Sequence, residues 1–434
     1  MRALGRTRIF AAAVPGVVAL AHHSSRSAAA EPEPAKVVGA VVVFRHGARS
    51  AIFSLPDGPS ATYETITAAP AHAVAVTVNN GKACHRFAAP GAPGFLSPLG
   101  WSQGESLGRR LRRRYGDKVI VTATHSTDTS RTVLTAHAVL TGLLGGSDAR
   151  SPPPPTAIDV IRGATLAVDI GCAELAFHLN AGRAEHRASD ASNAYARSEL
   201  AANFGRSFEP AKCGLLAVHD DCVARHAHGL PPSNSVDNAL CELASRETAR
   251  EVRAALRHPP TKPASEQTAG QRVKGVAAQM FGGGDKLPND YAARLAAGRL
   301  LERVANHLSE VHAHPPGPAD GPRLLLLSGH DTSLLALLNA FEHLVANSTA
   351  TNGNSADPVS HIVPDDVWPP HASSIAFELL DDGTVRVCYQ WDELLAQPVE
   401  TFVRSAKRLA MSDAQHLRAC GDSEADGAVF HWAE

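Results

Sequence analysis

Val37-Val38-Gly39-Ala40-Val41-Val42-Val43-Phe44 runs directly into Arg45-His46-Gly47-Ala48-Arg49. The first eight residues are apolar and valine-rich, with no polar face. A half-exposed strand would alternate polar and apolar residues, so this run suits a strand covered on both sides, as in a parallel sheet between helices. Leu324-Leu325-Leu326-Leu327 repeats the design and leads into Ser328-Gly329-His330-Asp331. A third run, Val119 to Ala123, leads to Ser126 and to Arg131 at the start of a helix. In open α/β sheets the ligand crevice lies at the carboxyl ends of the strands. The three polar clusters are therefore expected to face one crevice.

Working outward, Gly100 to Tyr115 reads as a helix with Leu107, Leu111 and Tyr115 on one face. Arg109, Arg110, Arg112, Arg113 and Arg114 cover its other side and read as a solvated face. Gly116 fits its stop. Residues 51 to 98 read as mostly loop, and Arg131 to Leu144 as a helix stopped by Gly145-Gly146. Pro152 to Pro155 mark entry into a region of weak periodicity, 151–285, expected to be a smaller, mostly helical cap. Tyr291 to His312 is a further helix, with Leu300, Leu301, Val304, Leu308 and Val311 on one face. A helix from Thr332 to about Phe341 and a long polar loop from Ala346 to Ser360 follow. Ile375 to Leu380, Asp381-Asp382-Gly383 and Val385 to Trp391 form a strand, a turn and a strand. The fold class is α/β: a mainly parallel sheet flanked by helices, with its core in 37–150 and 286–420.

The chain has 434 residues, enough for such a core plus a cap. A hydrophobic content of 44% predicts a globular fold, and a formal net charge of -2 argues against nucleic acid as a partner. Residues 1–30 read as a targeting segment. Arg2, Arg6 and Arg8 precede an uncharged stretch, Ile9 to Ala21, too short to span a bilayer. A secretory leader is the first reading, which implies the secretory pathway or the extracellular space. A mitochondrial transit peptide is the alternative, because Arg26 lies among serines and no acid precedes Glu31. The seven cysteines form no C-x-x-C pattern, and their odd count leaves at least one unpaired within the chain. Asn347-Ser348-Thr349 is a sequon, usable only after secretion.

Arg45, Arg49 and Arg131 around His46 and His330 make a strongly positive pocket. Guanidinium forks match tetrahedral phosphate oxygens. Such cations hold a histidine neutral and leave a ring nitrogen free to attack phosphorus. Asp331 is the one carboxylate inside these clusters and is the candidate acid for a leaving alkoxide. It also stands where a helix N-cap would stand. The arginines supply the charge that a metal would otherwise supply, so neither metal nor cofactor is expected. His226-x-His228 and His312-x-His314 read as exposed histidines rather than ligands, and Asp220 and Asp221 as surface acids.

Val42-Val43-Phe44-Arg45-His46-Gly47-Ala48-Arg49-Ser50 resembles the R-H-G-x-R signature of the histidine acid phosphatases, within the phosphoglycerate-mutase-like superfamily. Gly329-His330-Asp331-Thr332 resembles their H-D motif. Leu96-Ser97-Pro98-Leu99-Gly100 with Gln103, Leu107-Gly108 and Leu111-Arg112 is similar to their conserved helix. Ser126 with Arg131-Thr132, and Trp368-Pro369-Pro370-His371-Ala372-Ser373 with Phe377-Glu378-Leu379, extend the likeness over about residues 37 to 395. The resemblance implies a phosphohistidine on His46, phosphate oxygens held by Arg45, Arg49, Arg131 and His330, and protonation of the leaving group by Asp331. Phe44 to Ser50, Ala227-His228-Gly229-Leu230-Pro231 and Cys172 are most similar to the lysophosphatidic acid phosphatase branch. That implies a small-molecule or lipid phosphate monoester as partner, with peripheral contact to membrane lipid. A phytase-like phosphatase and an inactive anion-binding relative are the alternatives. Ala51 stands where the family has proline, and His125 where it often has arginine; both bear on substrate fit.

Overall fold

The computed structural model describes residues 35–53, 55, 62–80, 93–145, 156–161, 165–168, 172–204, 214–233, 236–257, 290–349 and 364–420. The leader read at 1–30 lies outside these residues. The fold is that of the unit that begins at Lys36.

Eight strands among the described residues form one sheet. They are β1 (Val37–Arg45), β2 (Val76–Asn79), β3 (Ile120–Thr127), β4 (Thr156–Ile161), β5 (Arg323–Gly329), β6 (Ser374–Leu380), β7 (Thr384–Tyr389) and β8 (Asp392–Pro398), in the order β2-β4-β3-β5-β1-β6-β7-β8. From β2 to β1 every pairing is parallel; β6, β7 and β8 extend the sheet antiparallel from β1. β1 and β5 run side by side, with Arg45 opposite Gly329, so their polar continuations emerge together.

The valine run has a reason on each side. Ala40, Val42 and Phe44 face one cluster with Leu107 and Leu111 of α1 (Pro98–Tyr115) and Val139 and Leu140 of α2 (Ser130–Leu144). Val41 and Val43 face the other, with Leu301, Val304 and Leu308 of the 291–313 helix. Each valine so buried contributes about 1.5–3 kcal/mol. Ser97 caps α1 through Oγ, and Gly116 ends it with φ +84°.

Within 151–285 the described residues give β4, which joins the sheet, and four helices: α3 (Ala173–Ser189), α4 (Ala191–Phe204), α5 (Leu215–Ala227) and α6 (Asn238–Arg257). α7 (Tyr291–Ala313) and α8 (Asp331–Thr349) follow, then α9 (Val399–Leu409) and α10 (Asp413–Cys420) after the last strand. No helix of the described residues is long and apolar enough to cross a membrane.

Several expectations are corrected. α8 continues past Phe341 to Thr349, because Leu344 and Val345 prolong its buried stripe. The sequon therefore begins on a helix. The 51–98 stretch contains β2, a short edge strand. Trp391 lies outside β7, in a turn where it and Gln390 have positive φ, and the chain returns as β8. Arg114 is more than a solvated arginine: it pairs with Glu378, which is fully buried, and covers the Trp391 ring at 5.2 Å. Two disulfides form, Cys172–Cys420 and Cys222–Cys241; Cys388 is a free, buried thiol.

Candidate active site

The loop after β1 is fixed from several sides. Gly47 N–H donates to Thr135 Oγ1 (3.1 Å) and Ala48 N–H to Gln103 Oε1 (2.8 Å). Ala48 O accepts from Ser97 N–H (3.0 Å) and Ser97 Oγ (3.1 Å). A Cβ on Gly47 would stand 2.2 Å from Gly100 O. Glycine is thus required by the close approach of the α1 backbone, rather than by a sharp turn or by an anion.

His46 is 1% exposed, yet its ring lines a cavity of about 440 Å³. Its Nδ1 lies 2.9 Å from Gly47 O. A carbonyl only accepts, so Nδ1 carries the proton and Nε2 the lone pair. Burial, reinforced by Arg131, Arg45, Arg49 and His330, holds the ring well below the usual histidine pKa and so neutral. The His330 ring is 5.6 Å from it, centroid to centroid. His330 Nδ1 faces Arg131 Nη2 at 3.5 Å and Nε2 faces Thr127 Oγ1 at 3.0 Å. Burial, with Arg131, lowers His330 to about 3.

Arg45, Arg49 and Arg131 line the same cavity, with Thr129 and Ser130 at the N-terminus of α2. Arg45 donates to Pro369 O (2.6 Å) and pairs with Asp331 (2.8 Å). Burial, with Arg49, brings Arg131 down to about 9. The Nε of each of the three is buried without a protein acceptor. Unsatisfied buried donors are costly, and an oxyanion would satisfy them.

Asp331 opens α8. One carboxylate oxygen accepts from Thr332 N–H (2.8 Å); the other meets Arg45 and Trp368 Nε1 (3.1 Å). Asp331 thus stands at the first position of the helix and in the cavity at once. Burial alone would raise its pKa, but Arg45, Arg49 and His330 outweigh that and hold it below the usual carboxylate range.

All six sequence-read residues thus meet at one cavity. The sequence reading missed Asp220, His219, Trp368 and His371. Asp220 and Asp221 are not surface acids: they are 7% and 3% exposed. Asp220 accepts from Arg49 Nη2 (2.6 Å) and from Ile52 and Phe53 N–H (2.6 and 3.2 Å). Asp221 pairs with Arg225 (2.8 Å). Their burial had one signal, the apolar stretch Leu215 to Val223 that encloses them. His371 lies 6.0 Å from the His46 ring, next to Ala372, whose φ is +56° and whose N–H donates to His46 O. His219 lies 4.6 Å from Trp368, and burial, with Arg45, lowers it to about 4. His226 and His314 are exposed, and neither histidine pair belongs to a metal-competent grouping among the described residues.

A mixed sheet whose parallel strands carry a histidine amid three arginines at their carboxyl ends defines an α/β protein with a cationic cavity at that edge. The family profile described as histidine phosphatase superfamily (branch 2) matches residues 36–211 and 271–404, and the chain belongs to that family. No curated protein matches its sequence. Among solved structures, the phytase of Hafnia alvei in complex with myo-inositol hexakis sulphate aligns with a TM-score of 0.52 at 13% identity, over 89% of this chain and 99% of that one. The phytase from Citrobacter braakii aligns at 0.50 and 14%, over 88% and 99%. At these identities the likeness is one of fold.

Proposed function

We propose that this chain hydrolyses phosphate monoesters in two steps through a phosphohistidine on His46. The observation that carries the reading is the neutral His46 ring, its Nδ1 proton committed to Gly47 O, lining a cavity shared with Arg45, Arg49 and Arg131. In the first step Nε2 bonds to phosphorus and the P–O ester bond breaks. The leaving oxygen takes a proton from Asp331, and the Gly47 carbonyl stabilises the Nδ1–H of the phosphorylated ring. In the second step water attacks phosphorus, the N–P bond breaks, and the water proton returns to Asp331. Asp331 is a carboxylate in the free site. Its proton therefore arrives with the substrate, as the second proton of a phosphate monoester, whose pKa is about 6. Arg45, Arg49, Arg131 and His330 hold the transferring oxygens.

Beyond the phosphate cluster Ile52, Phe53, Phe95, Leu216, Val223 and Val252 give the cavity an apolar stretch of wall, with His219, Asp220, Trp368 and His371 beside it. Among the described residues Arg45, Arg49 and Arg131 are its only arginines, and no lysine lines it. An inositol polyphosphate would bring further charges that meet no further arginine or lysine among the described residues of the cavity. The wall supports an apolar leaving group, an aryl alcohol or the acyl-bearing glycerol of a lysophosphatidate-like lipid met at a membrane surface. The two disulfides support passage through an oxidising compartment, in keeping with a secretory leader.

The test is a panel of lysophosphatidate, phosphotyrosine, inositol hexakisphosphate and an aryl phosphate at acidic and neutral pH, with and without EDTA. The lipid and aryl esters should be turned over best, in EDTA as well. Inositol hexakisphosphate as the best substrate would replace this reading with a phytase. Phosphate binding without any turnover would make the chain an inactive relative.

A further inference from the structure

A second convergence of ionisable groups lies away from the cavity. His186 sits in the last turn of α3, Asp190 directly follows that helix, and Glu247 is midway along α6. One donor atom of each lies within 4.8 Å of the other two. His186 Nε2 and Asp190 Oδ2 are 3.8 Å apart, too far for a hydrogen bond. Glu247 is 0% exposed. Its Oε1 accepts from Ser192 Oγ (2.7 Å) and Arg250 Nη1 (2.8 Å), while its Oε2 is buried without a protein partner. His186 Nε2 is buried and likewise has no hydrogen-bond partner. Asp190 Oδ1 accepts from the N–H groups of Ser192 (2.8 Å) and Asn193 (3.2 Å), which leaves Oδ2 on the His186 side. Each carboxylate is thus anchored by one oxygen and offers the other to a shared centre.

The charge balance favours a cation. Two carboxylates meet one imidazole, and Arg250, whose charge also reaches Asp190, divides its contacts between Glu247 and Asp366. Arg183 and Arg187 are turned to Glu251 instead. We propose that His186, Asp190 and Glu247 bind a divalent metal ion, zinc by preference. One imidazole nitrogen and two carboxylate oxygens suit zinc, with water completing a tetrahedron. At zinc's bond lengths tetrahedral donors stand about 3.4 Å apart, close to the spacing already present between His186 and Asp190. Among the described residues the other grouping of metal-binding residue types, Cys172, His416 and Cys420, is unsuitable because both sulfurs are spent in a disulfide.

None of the three ligands lines the cavity. The ion ties the junction of α3 and α4 to α6, so its effect falls on stability rather than on turnover. The site stands whether or not the phosphatase reading does. The test strips the disulfide-intact full chain with EDTA, then adds ZnCl₂ while bound zinc and Tm are measured. About one zinc per chain should bind and raise Tm by a few degrees. Glu247→Gln and Asp190→Asn keep the anchoring hydrogen bonds of these side chains; each should remove the Tm rise and weaken binding about tenfold or more. His314→Ala, at an exposed histidine, should change neither. Absence of zinc binding, or an undiminished response in both carboxamide variants, overturns the site.

Discussion

His46 spends its one ring proton on the Gly47 carbonyl, so no rotation or tautomer change is needed before it attacks phosphorus. His46→Ala should lower kcat by roughly 10⁴-fold or more, the scale seen when a nucleophile is removed, while circular dichroism and Tm stay close to those of the parent. Ordinary turnover in that variant would place the nucleophile elsewhere. Asp331 poses a sharper question, because it is both an ion-pair partner of Arg45 and the first residue of α8. Asp331→Asn keeps an oxygen for Thr332 N–H but cannot supply the proton. General acid catalysis is worth about 10²–10⁴-fold, so alkyl esters should slow by that order. Nitrophenyl esters, whose leaving group is stable without a proton, should slow far less. Equal slowing of both, with a lowered Tm, would reduce Asp331 to a helix cap.

At the scale of elements, β1 and β5 were legible because a strand covered by helices on both faces must be apolar throughout, and because their ends carry Arg45 to Arg49 and His330-Asp331. α5 was not legible as part of the site. Its contribution is a long-range contact, Asp220 reaching Arg49 across 171 positions, and no local pattern encodes it. β2 and β8 escaped because both are edge strands with much of their length exposed. α9 carries its apolar residues at helical spacing, Val399, Phe402, Ala406 and Leu409, so it was readable in principle. The Cys222–Cys241 disulfide ties α5 to α6 two positions from Asp220. Closing a loop of 19 residues stabilises by about 3 kcal/mol in the chain-entropy account. Replacing both cysteines by serine should lower Tm accordingly. It should also raise KM and lower kcat several-fold, because α5 positions Arg49, which holds the transferring oxygens. A fall in Tm with KM untouched would mean that the disulfide supports the fold alone.

For the molecule as a whole, the cost of the site appears in its response to acid. His46 and His219 are buried, His330 and His371 half-buried, and all four are held neutral, by desolvation first and by the arginines next. In the unfolded chain each takes up a proton near pH 6.5. Below that pH the unfolded state binds more protons than the folded one, so stability falls as pH drops, until the folded pKa is reached. For His219, lowered to about 4, the loss runs from about pH 6.5 to about pH 4 and amounts to about 3 kcal/mol. Asp331 has the opposite protonation logic. Its depressed pKa leaves its stabilising contribution intact over that window, and the contribution is lost only at lower pH. Asp331 therefore takes no part in the fall between about pH 6.5 and about pH 4, where the neutral histidines act. Glu251, also held low, adds its loss only toward the acid end of that window. His125, His137 and His307 are also lowered, so the whole fall cannot be assigned to one ring. A single substitution separates them. His219→Gln retains a polar group near Ser245 Oγ, its present partner at 2.9 Å, but has nothing to titrate. Urea midpoints taken at steps across this window should fall steadily in the parent and with a shallower slope in His219→Gln. Parallel slopes in the two proteins would show that His219 is protonated in the folded state, and that the arginines beside it do not set its charge.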